Sequence, residues 1–190
     1  MKFSFGGVVV FPVLALLCLA AGSERAFAQK FSNPDTLAPS YPTPQAVVDQ
    51  MLTLAEVKPG ETVYDLGCGD GRIVISAARQ FKAHAVGIEI RRDIYEKTQA
   101  KVAALGLSDQ VRIVNGNALR YDISPADVVT LYLLTSSNER LKPELIKYLK
   151  PTARVVSHDF EIQGWKPVSV NKMMVEGRPH MIYLYRMDSR

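Results

Sequence analysis

The stretch Asp65-Leu66-Gly67-Cys68-Gly69-Asp70-Gly71 decides the fold of this 190-residue chain. It continues the short apolar run Thr62–Leu66, which predicts a buried strand, and it leads into the apolar segment Gly71–Phe81, which predicts a buried helix. Three glycines at alternate positions place no Cβ in the way, so the backbone between the strand and the helix can approach a ligand closely. A ligand site is therefore expected where this strand ends, as is usual in open α/β sheets.

The alternation of strands and helices continues on both sides of this stretch. The predicted strands are 62–66, 85–90, 111–114, 126–134, 153–160, 168–175 and 181–187. The first predicted helix begins at Pro44, with Thr43 as its N-cap, and two more are predicted at 71–81 and 93–105. A last helix ends near Lys150, and Pro143 within it predicts either a start at that proline or a kink. Such a chain predicts a doubly wound, mostly parallel seven-stranded sheet, and Glu176-Gly177-Arg178-Pro179 predicts the turn of a C-terminal antiparallel hairpin.

The N-terminal segment differs in composition from the rest of the chain. Lys2 is followed by the apolar run Val8–Ala21 and then by Ala26-Phe27-Ala28, which is the order of a signal peptide cleaved before Gln29. We therefore divide the chain into a signal peptide or membrane anchor at 1–28, a linker or N-terminal arm at 29–43, and one domain at 44–190. Export to the periplasm or the extracellular space is expected. The alternative is an anchored domain facing the cytosol.

The overall composition is that of an ordinary globular domain. Apolar residues make up 47% and charged residues 22% of the chain, and the net charge is +4 with basic residues scattered among acidic ones. This charge pattern gives no reason to expect a nucleic-acid partner. Cys68 stands alone once Cys18 is removed, and His84, His158 and His180 have no paired spacing. The sequence therefore predicts neither a disulfide framework nor a metal site.

Two cofactors compete for a glycine-rich loop of this kind. A dinucleotide fingerprint needs a third glycine or an alanine at the position that Arg72 occupies. The pattern that is present, an acid followed by Gly67, Gly69 and Gly71 at alternate positions, resembles the first motif of the class I methyltransferases that use S-adenosylmethionine (SAM). In that family the loop passes under the methionine part of SAM, and the resemblance gives Asp65 the role of positioning its amino group.

Two further residues extend the cofactor site. Glu89 lies at the end of the second predicted strand, ~20 residues after the loop in sequence. An acid at that spacing can accept hydrogen bonds from ribose hydroxyls. Asn117 follows the third strand, where the family often has Asp that accepts from the adenine amino group. An Asn can also accept, through its side-chain oxygen.

A closer resemblance covers residues 41–187. The chain is similar to the protein-lysine methyltransferases that include the mitochondrial enzymes acting on the adenine nucleotide translocase and on the ATP synthase c-subunit. The segments that carry the resemblance are Tyr41–Pro44, Val63–Gly67, Arg72–Val74, Leu131–Leu134 with Asn138, and Arg154–Phe160 with Gly164-Trp165. The resemblance implies a protein substrate with a lysine acceptor, and we expect membrane-associated proteins among the substrates. The alternatives are a small-molecule or lipid methyltransferase and a non-catalytic SAM-binding module.

The acceptor side is expected at the ends of the fourth and fifth strands. Tyr132, Phe160 and Trp165 are candidates to line a channel that favours the neutral amine, while His158 and Asp159 are candidates to assist its deprotonation. Tyr41 is a candidate to close over the cofactor. The fourth strand is followed by Leu133-Leu134-Thr135 and not by the Pro-Pro-aromatic motif of many base and amide N-methyltransferases, which disfavours that chemistry.

Overall fold

The computed structural model describes residues 37–38 and 41–189. The expected signal peptide or anchor at 1–28 lies outside these residues, as does most of the arm at 29–43. Among the helices in the described ranges, none combines the length and the apolar character needed to cross a bilayer.

Seven strands form one sheet, as the sequence predicts. They are β1 Thr62–Leu66, β2 His84–Glu89, β3 Val111–Asn115, β4 Val128–Leu131, β5 Arg154–His158, β6 Ser169–Val175 and β7 Arg178–Arg186. Their order in the sheet is β3-β2-β1-β4-β5-β7-β6. Strands β1 to β5 run parallel to one another. Strand β7 runs antiparallel to both of its neighbours, β5 and β6. The strand order reverses between β1 and β4, so the carboxyl ends of these two strands mark the crevice in which such sheets bind ligands.

Within residues 41–189, four α-helices cover the two faces of this sheet. They are α1 Gln45–Leu54, α2 Arg72–Phe81, α3 Arg92–Ala104 and α4 Thr135–Tyr148. Successive side chains of a strand point to opposite faces, so Val63 packs with α1, α2 and α3 while its neighbour Tyr64 packs with α4. The two hydrophobic clusters that result hold the strand ends in fixed positions.

Two local predictions differ from the structure, and one open alternative is decided by it. Thr43 does not cap α1, because its hydroxyl lies 3.2 Å from His158 Nδ1 instead. Helix α4 begins at Thr135 and contains Pro143, so of the two alternatives at Pro143 the late start is excluded. The hairpin turn is shorter than predicted: only Glu176 and Gly177 lie outside the strands, with φ of 51° and 75°. A two-residue turn with positive φ at both positions matches the twist of the strands that it joins.

The pairing of β7 with β5 shapes the end of β5. In this register His158 pairs with Ile182, and the Asp159 N–H donates to the Met181 carbonyl at 2.7 Å. Residues of β7 near 180 are thereby brought to the carboxyl end of β5, next to the switch point of the sheet.

Candidate active site

The loop between β1 and α2 folds tightly against the end of β2. The N–H groups of Gly67 and Cys68 both donate to the Ile88 carbonyl, at 2.8 and 3.0 Å. Gly71 has a φ of 76°, and a Cβ added there would lie 2.6 Å from Thr98 Cγ2. Only glycine satisfies both conditions at this position. The loop therefore presents bare backbone at the carboxyl end of β1.

Asp65 is a buried carboxyl group beside this loop. It is 4% exposed, and its Oδ1 accepts a hydrogen bond of 2.8 Å from Thr130 Oγ1 on β4. Burial raises the pKa of Asp65 to about 7, and the nearby Glu89 and Asp70 add to the shift while the Thr130 bond opposes it. A cationic ligand group at this position would favour the ionised carboxylate and reverse the shift.

Glu89 ends β2 on the other side of the glycine loop. Its Oε2 accepts from the Gly69 N–H at 3.0 Å and its Oε1 accepts from the Arg91 N–H at 2.8 Å. These two bonds fix the carboxylate at the strand end. An ionised carboxylate has about four acceptor positions, so two remain for ligand hydroxyls.

Asn117 lies after β3, on the same edge of the sheet. Its Oδ1 accepts from the Leu119 N–H at 2.9 Å, and its buried Nδ2 has no partner among the residues that the structure describes. The sequence analysis expects an acceptor here, whereas the geometry leaves the amide nitrogen, a donor, as the unpartnered group. The purine ring of adenine carries acceptor nitrogens, so a donor at this position also fits that base.

The segment 41–44 connects the cofactor loop to the end of β5. Arg72, the first residue of α2, donates through Nη1 to the Thr43 carbonyl, while the Thr43 hydroxyl faces His158. Tyr41 is 71% exposed. Whether it closes over the cofactor stays a prediction.

Aromatic rings and an imidazole gather at the ends of β4 and β5. The Tyr132 ring lies 3.9 Å from the His158 ring and 6.2 Å from the Phe160 ring, measured between centroids. Burial, reinforced by Asp159, raises the pKa of Tyr132. Trp165 is not part of this group, because it packs edge-on against Tyr185 at 5.9 Å in the core under α4. The surface that the acceptor would meet is therefore formed by the partly exposed rings of Tyr132 and Phe160, and the buried imidazole of His158 packs against the Tyr132 ring.

His158, Asp159 and His180 form a compact polar cluster behind the Tyr132 ring. His158 Nε2 lies 2.9 Å from His180 Nδ1, and Asp159 Oδ2 lies 3.3 Å from each of these two nitrogens. Burial lowers the pKa of His158 to about 4, with a contribution from His180 that Asp159 opposes. The His158 imidazole is therefore neutral at physiological pH, with a lone pair available on one ring nitrogen.

His180 is the functional candidate that the sequence analysis missed. Its spacing from His158 carries no motif, and only the register of the β5–β7 pair brings the two rings together. The expectation of no metal site rested on that spacing and has to be reconsidered. Cys68, by contrast, is a core residue: burial raises the pKa of its thiol, and it packs beside Gly87.

Comparison with known proteins decides the family. The model of a family described as the ANTKMT methyltransferase domain matches residues 65–169, which run from the acid of the glycine loop into β6. The chain belongs to the ANTKMT methyltransferase family.

Three relatives illustrate the range of this methyltransferase family. A protein-lysine N-methyltransferase of Saccharolobus islandicus is 49% identical over 148 residues, which are 77% of this chain and 92% of that protein. The adenine nucleotide translocase lysine N-methyltransferase of Mus musculus is 31% identical, over 65% of this chain and 53% of the mouse protein. The crystal structure of an RNA methyltransferase from Salinibacter ruber with S-adenosyl-L-homocysteine is 44% identical, with a TM-score of 0.73 over 79% of this chain and 95% of that one.

The cofactor of this methyltransferase is SAM, and the residues of the crevice fit it. A Cβ added at Gly69 would meet no atom within 4 Å, so the loop backbone lies open to a ligand there, and Asp65 offers a carboxyl that a cationic amino group would ionise. Glu89 offers acceptors for a ribose, and Asn117 offers an unpartnered amide. These groups lie along the carboxyl ends of β1, β2 and β3 in the order that an extended nucleoside ligand needs.

Proposed function

We propose that this methyltransferase transfers the methyl group of SAM to the side-chain amine of lysine in a protein. The single observation that carries the proposal is the aromatic surface formed by Tyr132 and Phe160 at the carboxyl ends of β4 and β5, with the buried His158 imidazole packed against the Tyr132 ring. Two of the relatives bear names that state lysine methylation, one of them at 49% identity.

The residues of the crevice orient the cofactor. In this proposal Asp65 pairs with its amino group, Glu89 accepts from the ribose hydroxyls, and Asn117 meets the adenine. Gly67, Gly69 and Gly71 let the loop backbone lie against its methionine part. Bound SAM supplies a methyl group already activated by the sulfonium, so the contribution of the protein is mainly alignment, which can represent ~7–11 kcal/mol of a barrier.

The acceptor surface selects the reactive form of the amine. A lysine ammonium loses hydration against the rings of Tyr132 and Phe160, and this desolvation lowers its pKa. The neutral imidazole of His158 adds no positive charge to the surface. His158 and Asp159 are the polar groups beside it, and we propose that they orient the amine and assist the departure of its proton.

The competing acceptor classes are separated by one labelling experiment. The full chain is incubated with SAM carrying a radiolabelled methyl group and, in parallel, with membrane proteins, soluble proteins, total RNA and extracted lipids. The catalytic control is Asp65→Ala. Label in protein, found by mass spectrometry as methyl-lysine and absent with the control, supports the proposal. Label confined to RNA, as the name of the Salinibacter ruber relative suggests for that protein, or to lipid, would overturn it.

We also propose that the domain is exported by residues 1–28, and that membrane-associated proteins are among its substrates. The basis is the order of Lys2, the apolar run Val8–Ala21 and the Ala26-Phe27-Ala28 site. Alkaline phosphatase fused after residue 190 is active only outside the cytosol. Active phosphatase supports export, and inactive phosphatase in an intact fusion supports an anchored domain that faces the cytosol.

A further inference from the structure

We propose that His158, Asp159 and His180 bind a divalent metal ion of the zinc class at the acceptor end of the sheet. The site would hold the ion through two imidazole nitrogens and one carboxylate oxygen. The site adjoins the proposed lysine surface but does not depend on lysine being the acceptor. With an ion bound, His158 and Asp159 are its ligands, so the help with the amine proton proposed for them applies to the metal-free protein.

The distances among the three candidate ligand atoms fit one ion. His158 Nε2, His180 Nδ1 and Asp159 Oδ2 form a triangle with sides of 2.9, 3.3 and 3.3 Å. Zinc bonds to nitrogen and oxygen of ~2.0–2.1 Å imply tetrahedral edges of about 3.3–3.4 Å. Two sides of the triangle already have this length, and the third requires one imidazole to move by a few tenths of an ångström.

Two of the three candidate ligands, His158 and Asp159, are held by a partner outside the triangle. The other ring nitrogen of His158, Nδ1, lies 3.2 Å from Thr43 Oγ1, so an Nδ1–H bond to that hydroxyl leaves the lone pair of Nε2 facing the cluster. Asp159 Oδ1 accepts from the Met181 N–H at 2.9 Å, which directs Oδ2 towards the two rings. Partners of this kind fix the tautomer and the orientation of metal ligands.

The backbone also contributes to the convergence. Asp159 has a φ of 59°, a left-handed conformation that is uncommon for residues other than glycine, although Asp and Asn adopt it more readily than most. This turn places two consecutive side chains, those of His158 and Asp159, on the same cluster, whereas extended backbone would point them to opposite faces. His180 comes from the neighbouring strand β7.

The donor set indicates the class of metal. Two imidazoles and one carboxylate suit zinc and the neighbouring first-row divalent ions, whereas magnesium and calcium prefer oxygen ligands throughout. Three protein ligands leave a fourth position open, as in zinc sites that also bind water or substrate. Asp159 is the ligand with exposed surface, its side chain being 22% exposed against 0% for His158, so an ion would enter from its side.

Cobalt is the probe for the test, because tetrahedral Co²⁺ has visible d–d bands. The purified full chain, free of any affinity tag, is stripped with chelator and titrated with Co²⁺ in the absence of SAM and substrate. One equivalent is expected to produce tetrahedral bands that one equivalent of Zn²⁺ abolishes. His180→Gln and Asp159→Asn should each weaken binding at least tenfold, and Thr43→Val by about 10- to 100-fold. His84→Gln is the matched control, since His84 is an exposed histidine at the start of β2.

Each result decides the question. Asn tolerates the left-handed backbone at position 159, so Asp159→Asn is expected to fold, and circular dichroism with SAM titration checks every variant. Saturable tetrahedral bands lost in the ligand variants and retained in His84→Gln support the site. Bands that persist in His180→Gln and Asp159→Asn, or a spectrum no different from aqueous Co²⁺, would overturn it. A failed metal titration alongside methyl-lysine formation would leave the proposed function standing.

Discussion

Replacing Asp65 by Asn is expected to stabilise the cofactor-free protein at pH 8 and to weaken its binding of SAM. Asn keeps the size of the side chain and an oxygen for the 2.8 Å bond from Thr130 Oγ1, so the change removes mainly the charge. Burial raises the pKa of Asp65 from 3.8 to about 7, which means that the folded protein holds this proton more tightly than the unfolded chain does.

The size of the effect follows from that difference. A gap of about 3 pKa units corresponds to an order of 4 kcal/mol, at ~1.36 kcal/mol per unit. Because the folded-state pKa is the higher one, the stability of the native chain is greatest below pH 3.8 and falls as the pH rises towards about 7. Asn does not ionise, so the variant should be more stable than the native chain by roughly 4 kcal/mol at pH 8, and the two should become equal in acid.

Cofactor binding should change in the opposite direction. In the proposed function the ionised Asp65 pairs with the amino group of SAM, and hydrogen bonds to charged groups contribute ~1.5–3 kcal/mol. Their loss weakens SAM binding by about 10- to 150-fold. Urea unfolding at pH 5 and pH 8 measures the first effect, and calorimetric titration of SAM measures the second.

Asp127→Asn is the matched control for the pH dependence. Burial acts to raise the pKa of Asp127, but the bond from Lys150 and the bond from the Thr62 N–H hold it below its usual range. This variant should therefore lose stability at neutral pH, a change of opposite sign. If Asp65→Asn were instead destabilised by the same amount at pH 5 and pH 8, the pKa of Asp65 would not be raised in the folded protein, and the reasoning from burial would be refuted.

Three further substitutions test the loop, the ribose site and the acceptor surface. Gly71→Ala should lower the free energy of unfolding in urea by about 2–4 kcal/mol, because the new Cβ would lie 2.6 Å from Thr98. The control is Gly177→Ala, which has a similar φ but no atom within 4 Å of the new Cβ and should lower it by only ~1 kcal/mol. Equal losses would exclude a steric cause. Glu89→Gln removes an acceptor from one backbone N–H, so calorimetry should show SAM binding weakened by at least tenfold, and unchanged binding would contradict the ribose assignment. Tyr132→Ala should lower kcat at least tenfold and leave SAM binding unchanged. Tyr132→Phe keeps the aromatic ring and should keep most of kcat. An equal loss of kcat in both variants would assign the role to the hydroxyl and not to the ring.

The strands and the cofactor side follow from local signals. The predicted bounds of β1 agree with the structure because Gly60 and Gly67 mark its two ends. Asp65 and Glu89 each end an apolar strand of a parallel sheet, and the carboxyl ends of such strands meet at one edge. Their neighbourhood could therefore be predicted without knowledge of any long-range contact.

The acceptor side depends on contacts that no local pattern encodes. His180 reaches His158 only through the register in which β7 pairs with β5, and that register is not encoded in the local sequence of either strand. The hydroxyl of Thr43 had a local role available as a helix cap but binds a histidine 115 residues away. Trp165 could have faced either side of the sheet, and its contact with Tyr185 became visible only in the folded chain.

Thr43 joins two parts of the molecule that are distant in sequence. Its carbonyl accepts from Arg72, directly after the glycine loop, and its hydroxyl contacts His158 at the end of β5. Withdrawal of this one residue would break a contact on the donor side and another on the acceptor side in a single movement. The start of α2 and the end of β5 are thus tied to each other through both polar groups of one threonine.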